Sequence, residues 1–441
     1  MLTLGQPMAF REAEEFQEGL NKVIYASRAI TELEHLKGRK CETDALTKAL
    51  LTPGRQPFIF GMRGAGKTSL ALSVSNEYSQ APVVQITCAP QMKFGDIIRT
   101  LVARALTMDP LLSEQSVNIQ AKAGLNVGFA NMHGGALETK SYRGVPTPND
   151  PNEALDLLKH VHVSKGSKRF CFVIDEFDQL IDQDAHLQLG LLAKLIADSG
   201  APIQFVFCGV ADNIQQIFKA HPSTLRLFEA IEVNRLSLQA CFEIMVDVER
   251  AIGVEIERET KFRIAQISDG FPYFIHLIVE KTLWEWFNDG IARERPTSPV
   301  HYERGLTAAS IAAAPELREP YEKAANKYAL DGELILWAMA TGHLLSKQIK
   351  VVSKDFVELY DEYRSSSKPS LCLKQNQISA RLAHFMKDQY GKMVVRPHRS
   401  YYAFAEKRMR GYARLRAGLH GVHLRPDHPL IPDGRNPLMR A

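Results

Sequence analysis

The stretch Phe-Ile-Phe-Gly-Met-Arg-Gly-Ala-Gly-Lys-Thr-Ser-Leu, residues 58–70, decides the fold of this chain. Gly61, Gly66, Lys67 and Thr68 match the pattern G-x-x-x-x-G-K-[ST] at every fixed position. Glycines allow the backbone to form a concave turn whose N–H groups point at phosphate oxygens. Lys67 is expected to reach the β- and γ-phosphates, and the Thr68 hydroxyl is expected to hold Mg²⁺. The stretch therefore predicts a phosphate-binding loop (P-loop).

The flanking residues supply the strand and the helix that such a loop requires. Residues 57–60 form a short apolar run typical of a buried strand, and residues 67–78 can continue as a helix. The N-terminus of that helix would face the phosphates with the positive end of its dipole. The context therefore predicts a nucleoside triphosphate site. Its expected contacts are Gly61, Arg63, Gly64, Ala65, Gly66, Lys67, Thr68 and Ser69.

Length and composition are those of a globular chain with about two or three domains of roughly 100–200 residues each. The chain has 441 residues, of which 45% are hydrophobic and 24% charged. No run of about 18 apolar residues is present, so we expect no membrane span. Residues 1–11 lack the layout of a secretory signal. The six cysteines have no C-x-x-C spacing, which favours reduced thiols and a cytoplasmic location.

A second motif lies about a hundred residues after the P-loop. Residues 169–180, Arg-Phe-Cys-Phe-Val-Ile-Asp-Glu-Phe-Asp-Gln-Leu, form a continuous apolar run that ends in two acids. A strand that is apolar on both faces is typical of the middle of a parallel sheet. Asp175 is expected to hold the metal shell, and Glu176 is expected to polarise the water that attacks the γ-phosphate.

Strands and helices alternate over residues 1–235, which predicts an α/β fold with a parallel sheet flanked by helices. Residues 115–143 interrupt this rhythm with a two-residue alternation typical of an inserted β-hairpin. The hairpin could extend the sheet edge, or it could contact a neighbouring subunit or nucleic acid. Asp212 and Asn213 follow the fourth predicted strand, where they would either approach the γ-phosphate or cap the next helix.

The C-terminal part is helical and then basic. Residues 236–299 are helical by pattern, and residues 300–418 are predicted to contain a linker, three helices (the second capped by Ser353) and a β-hairpin. That order is typical of a winged helix-turn-helix, whose third helix can enter the DNA major groove. Residues 419–441, rich in Pro and Arg, are predicted to be disordered.

Charge is concentrated in this region. Residues 364–416 contain thirteen Lys and Arg against two acids, whereas the whole chain carries only +4. A basic block on an otherwise acidic chain favours a polyanion partner, and the alternative is a winged helix that contacts protein. The candidate contacts with double-stranded DNA are Arg381, Lys387, Lys392, Arg396 and Arg399.

Taken together, the motifs resemble those of AAA+ ATPases. The resemblance covers residues 31–415, and it is closest to the origin-recognition/initiator branch and related bacterial ATPases of mobile elements and defence systems. It implies a P-loop NTPase core, an all-α lid, a C-terminal winged helix, and ATP and Mg²⁺ as cofactors.

The resemblance also implies roles for three further residues. Arg39 matches the segment that precedes the family's core and would lie near the adenine. Asp212 falls at the sensor-1 position, next to the γ-phosphate. Arg226 falls where an arginine finger completes a neighbouring subunit's site, which implies a homo-oligomer. The alternative is that Arg226 pairs on the surface with Glu229 or Glu232.

The chain departs from the family in the lid. Relatives often carry a sensor-2 arginine after a glycine, whereas Gly270 is followed by Phe271 and Pro272. Two functions therefore stay open. One is an ATPase that couples ATP binding and hydrolysis to oligomerisation and DNA association. The other is a slow or non-hydrolysing nucleotide switch that recruits an effector protein in phage defence or transposition. A P-loop kinase is disfavoured because the sequence shows no acceptor-substrate site.

Overall fold

The computed structural model describes residues 12–107, 145–164, 166, 168–210, 227–290, 296–364 and 372–425. By its internal contacts the chain divides into two units. The sheet unit consists of Ala29–Met62 and Lys67–Asn234. The helical unit consists of Met1–Arg28, Arg63–Gly66 and Arg235–Ala441.

A parallel five-stranded sheet organises the sheet unit, within the described residues. Its strand order is β2-β3-β4-β1-β5, so β1, β3 and β4 lie in the interior. All residues of β3 and β4 are buried, as expected for central strands that are covered on both faces. The strands are β1 Gln56–Gly61, β2 Val84–Thr87, β3 Phe170–Asp175, β4 Ile203–Gly209 and β5 Phe228–Val233.

Helices flank this sheet, and the α/β prediction is confirmed. The helices are α2 Lys40–Leu51, α3 Lys67–Tyr78, α4 Phe94–Thr107, α5 Pro151–Ser164 and α6 Gln183–Ser199. Much of the core between the layers is aromatic. The rings of Phe172 and Phe205 on neighbouring strands stack with centroids 5.3 Å apart, and Phe58 and Phe207 stack at 6.4 Å. These contacts pack the neighbouring strands β3, β4 and β1 against one another through their side chains.

The helical unit begins with α1 (Ala13–Val23), which packs on helices from much later in the chain. The ring of Phe16 stacks on that of Phe287, with centroids 4.4 Å apart. One hydrophobic cluster extends from α1 to Leu424. The later helices are α7 Leu238–Ile252, α8 Arg258–Ser268, α9 Pro272–Asn288, α10 Pro299–Ala312, α11 Pro315–Tyr328 and α12 Leu330–Ala340.

The last part of this unit combines helices with a small sheet. Its three strands have the order β6-β8-β7 and pair antiparallel. The predicted hairpin is confirmed, because Val394 pairs with Phe404 and Val395 with Ala403. The elements are β6 Ser346–Gln348, α13 Ile349–Arg364, α14 Gln375–Phe385, β7 Val394–Val395, β8 Tyr401–Phe404 and α15 Met409–Leu419.

Two expectations differ from the structure. Ser353 lies inside α13, where its hydroxyl donates to the carbonyl of Ile349 at 2.8 Å. It therefore does not cap that helix. Val422 and Leu424 are buried in the core, although the tail was expected to be disordered from residue 419. The burial of Val422 and Leu424 arises from tertiary packing, which the local pattern does not contain.

The inserted hairpin at 115–143, Asp212 and Arg226 lie outside the described residues. No helix of the described segments has the length and apolar character needed to cross a membrane.

Candidate nucleotide site

The P-loop follows β1, and its backbone explains why glycines are needed. A Cβ on Gly61 would lie 2.2 Å from the carbonyl oxygen of Val233, so the close pairing of β1 with β5 excludes any side chain there. Gly64 and Gly66 have φ of 77° and 96°, in the region that favours glycine. Positive φ at these glycines is typical of loops whose successive N–H groups turn toward a bound anion.

Lys67 begins α3 and folds back over the loop. Its ammonium donates to the carbonyls of Gly61 and Met62, both at 3.0 Å. These carbonyls hold the ammonium at the mouth of the loop. Lys67 is therefore positioned to bind an anion seated on the loop.

Asp175 ends β3 and is the centre of the site. The Thr68 hydroxyl donates to its carboxylate at 2.7 Å, and the Gln85 amide donates to the same oxygen at 3.2 Å. The backbone N–H of Glu176 donates to the other oxygen at 2.9 Å. All three partners are neutral, and the Asp175 residue is 7% exposed. The structure thus brings together Thr68 and Asp175, which are 107 residues apart in sequence.

Glu176 occupies an unusual backbone conformation. Its φ of 50° and ψ of 39° lie in the left-handed region, and the short helical turn Phe177–Gln179 follows it. A glutamate is uncommon there, and such strain is frequent at functional sites. Glu176 directly follows the strand that ends at Asp175.

Sequence reasoning missed Gln85 and Cys88. Gln85 lies on β2, which pairs with β3, and the backbone N–H of Cys88 donates to the Asp175 carbonyl at 2.9 Å. Burial raises the pKa of the Cys88 thiol to about 12, with a smaller contribution from Asp175. The thiol is therefore neutral at ordinary pH and adds no charge to the site. No local sequence signal indicates either residue, because only the pairing of β2 with β3 brings them to Asp175.

The chain before α2 is attached to α3. The backbone N–H of Ile30 donates to the Ser69 hydroxyl at 3.1 Å, and the Ser73 hydroxyl donates to the Ile30 carbonyl at the same distance. Arg39 is buried and forms an ion pair with Glu42 at 3.0 Å. Arg39, which was predicted to lie near the adenine, is thus held inside the sheet unit.

The predicted DNA contacts divide into two groups. Arg381 forms an ion pair with Asp331 and lies over the ring of Tyr328 at 4.6 Å, so it is held within the helical unit. The other four residues are exposed. They are Lys387, Lys392, Arg396 and Arg399.

The basic block at 364–416 is less basic at the surface than its composition indicates. Arg408, Arg410 and Arg414 are buried, and Arg416 pairs with Glu333 at 2.8 Å. These arginines stabilise the helical unit. The positive charge available to a polyanion therefore comes mainly from the segment before α15.

The sheet topology, the glycine loop and the Thr68–Asp175 pair define a P-loop fold of the nucleotide-binding type. Residues 35–206, less than half of the 441 residues, match the family described as AAA ATPase domain. No curated protein matches the sequence.

Solved structures from archaea are similar to most of the chain. The Walker-type ATPase PABY2304 of Pyrococcus abyssi is 16% identical, with 88% of this chain and 99% of that chain covered and a TM-score of 0.49. Cdc6p from Pyrobaculum aerophilum is 16% identical, with 91% and 98% covered and a TM-score of 0.44. The ORC2 protein of Aeropyrum pernix, in ADPNP–ADP complexes, is 14% identical, with 90% and 98% covered and a TM-score of 0.47.

Proposed function

We propose that this protein binds ATP with Mg²⁺, hydrolyses it, and couples this cycle to oligomerisation and DNA association. The observation that carries the proposal is the hydrogen bond between Thr68 and Asp175 beside Lys67. A hydroxyl and a carboxylate from two separate motifs meet where the β- and γ-phosphates of a triphosphate on the loop would lie.

The donor set fits the cofactor. Magnesium prefers oxygen ligands and retains several waters, so a hydroxyl and a carboxylate 2.7 Å apart suit it. Thr68 would hold the ion directly, and Asp175 would hold its water shell. When bound, the ion would neutralise charge on the phosphates. Lys67 would exchange its bonds to the Gly61 and Met62 carbonyls for bonds to phosphate oxygens.

Glu176 is the proposed general base. It adjoins Asp175, the proposed holder of the metal shell, and its backbone is left-handed. A positioned carboxylate that accepts a proton from the attacking water contributes typically about 10²–10⁴ in rate. From the sequence resemblance, Asp212 is proposed to sense the γ-phosphate, and Arg226 is proposed to complete the site of a neighbouring subunit.

DNA association is proposed from the C-terminal elements. We interpret α12, α13 and α14 with the sheet β6-β8-β7 as a winged helix-turn-helix. The four exposed basic residues, on the hairpin and after α14, would contact phosphates and position the domain. Arg381 would contribute indirectly, by fixing α14 through Asp331.

The first experiment is ATP hydrolysis by the full-length protein, with and without duplex DNA, beside Glu176→Gln. We expect turnover that DNA stimulates and that the substitution reduces by about 10²–10⁴-fold, while ATP binding persists. Glu319→Gln, at an exposed glutamate of α11, is the matched control and should leave turnover unchanged. Wild-type turnover that Glu176→Gln leaves intact would exclude Glu176 as the base.

The second candidate is a nucleotide-loaded scaffold that recruits an effector protein in phage defence or transposition. It is favoured by the turn before α9, where Gly270, Phe271 and Pro272 offer no basic side chain. Binding of ATP without turnover, in the presence or absence of DNA, would support the scaffold and exclude the hydrolytic cycle.

A further inference from the structure

The outward face of α14 is defined by the residues it buries. Ile378, Leu382 and Phe385 are buried on one side of this helix. Because successive residues turn by about 100° on a helix, the opposite side carries Asn376, Ala380 and Ala383. All three of these residues are exposed. The face therefore consists of one carboxamide followed by two methyl groups.

Two of the longer polar side chains of α14, those of Arg381 and His384, are directed to the rest of the domain. Arg381 pairs with Asp331 and covers Tyr328, and a ring nitrogen of His384 bonds to the Tyr328 hydroxyl. Arg381 is the one Lys or Arg within Gln375–Phe385, and it does not lie on the outward face. The outward face therefore carries no guanidinium.

Asn376 has hydrogen-bonding capacity left over. Its Oδ1 accepts from the backbone N–H of Gln377 at 3.0 Å, which occupies one lone pair of that oxygen. The second lone pair and the amide NH₂ make no hydrogen bond to other described residues. One acceptor and two donors on the same planar group thus remain available.

This chemistry distinguishes base pairs in the major groove. A guanidinium reads guanine, whereas a carboxamide pairs in bidentate fashion with adenine, and a methyl group packs on the methyl of thymine. We infer that α14 reads A·T base pairs, with Asn376 on adenine and Ala380 and Ala383 against thymine methyls. The inference rests on the DNA association proposed above and adds sequence preference to it.

The charges around this face indicate why duplex DNA is the occupant. Lys374 precedes the helix, Lys387 follows it, and three further exposed cations lie on the hairpin and its approach. Asp388 is an exposed acid beside them, and it pairs with Lys392 at 3.3 Å. Positive charge at both ends of a narrow, nearly neutral face fits a groove between two phosphate backbones. The hairpin cations are Lys392, Arg396 and Arg399.

The test is selection of bound duplexes from a random-sequence library by the full-length protein with Mg²⁺ and ATP. We expect an enriched site that contains A·T pairs. The affinity ratio between that site and the same duplex with G·C replacements is then measured for wild type and Asn376→Ala. The substitution should lower the ratio by about 5- to 150-fold, the value of one bidentate contact.

Two control variants distinguish recognition of base pairs from contacts with the phosphate backbone. Gln375→Ala removes a neighbouring amide from the side of the helix and should keep the ratio. Lys387→Ala should weaken binding to both duplexes equally and lower the salt slope by about one. The circular dichroism spectrum and thermal unfolding of each variant, measured in the same samples, show that the helical unit is folded.

The outcomes are distinct. Binding without preference for A·T pairs, or an unchanged ratio in Asn376→Ala, would overturn the inference and leave DNA association standing. No binding of any duplex at about 50 mM salt would overturn both the inference and the DNA part of the proposed function, because phosphate contacts are strongest there. ATP hydrolysis by the same preparation would still stand.

Discussion

Two buried aspartates, Asp175 in the sheet unit and Asp269 in the helical unit, have opposite surroundings. Asp175 accepts hydrogen bonds from three neutral groups. Asp269 faces three guanidinium groups, those of Arg235 at 2.6 Å, Arg410 at 3.4 Å and Arg414 at 3.8 Å. Each aspartate ends a regular element, β3 or α8, yet only one is surrounded by fixed cations.

The difference separates a functional acid from a structural one. A carboxylate with neutral donors keeps its full charge for a cation that arrives with a ligand. A carboxylate among three arginines is already neutralised, and it offsets the cost of burying them. Burial lowers the pKa of Arg410 to about 9, and the Asp269 carboxylate counteracts this shift. Asp269 is therefore expected to stabilise the fold, whereas Asp175 is expected to serve the reaction.

The largest effect on stability is expected for Asp269→Asn. Removing the carboxylate leaves buried arginines without their counter-charge, which should lower the free energy of unfolding by about 3–5 kcal/mol. Chemical denaturation of the full chain measures this, with the exposed Asp388→Asn as the control. A loss below about 1 kcal/mol would show that water or backbone groups solvate the arginines instead.

Asp175→Asn, in contrast to Asp269→Asn, should lower ATP turnover strongly and stability only slightly. We expect ATP turnover to fall by about 10²–10³-fold, as for removal of one preorganised electrostatic group. Stability should fall by only about 1 kcal/mol, because the amide oxygen can still accept from Thr68 and only the hydrogen bond from the Glu176 backbone N–H is lost. Turnover and denaturation are measured on one preparation, and a loss of stability like that of Asp269→Asn would contradict the comparison.

A third buried cluster, Lys347 with Asp355, should make the stability of the fold depend on pH. Lys347 is buried beside Asp355 at 2.8 Å, and burial lowers the pKa of its ammonium from 10.5 to about 8. Between about pH 8 and 10.5 the folded state therefore holds fewer protons than the unfolded state. The stability contribution of Lys347 should rise with pH in this window, by at most about 1.4 kcal/mol per pH unit.

The measurement compares wild type with Lys347→Met between pH 8 and 10. The difference in unfolding free energy between the two proteins should shift in favour of wild type as the pH rises. A difference that is constant across this range would show that Lys347 titrates normally in the fold.

The smallest effect on stability is expected at Glu176, whose backbone is left-handed like that of Asp269. Glu176→Gly should relieve the positive φ and raise stability by about 0.5–1 kcal/mol, after the entropy of glycine is subtracted. ATP turnover should be lost in the same variant. Thermal unfolding beside Glu176→Gln, which keeps the side-chain penalty, separates the backbone effect from the loss of charge.

Much of the sheet unit was predictable because its signals are local or follow a known spacing. The predicted helix over residues 67–78 corresponds to α3, Lys67–Tyr78, and the apolar run before Asp175 corresponds to β3. Gln85 was not predictable, because it reaches Asp175 only through pairing of β2 with β3. The ion pair of Arg381 with Asp331 was likewise hidden, since 50 residues separate them.

The sequence by itself determined the strands, the phosphate-binding turn and the residues Lys67, Thr68 and Asp175, because glycine conformation, apolar runs and motif spacing are written along the chain. Only the tertiary structure decided which charged side chains pair with one another inside the fold. Whether an aspartate such as Asp269 meets arginines, or one such as Asp175 meets neutral donors, depends on elements far apart in sequence. Burial then sets the electrostatic cost that separates the two roles.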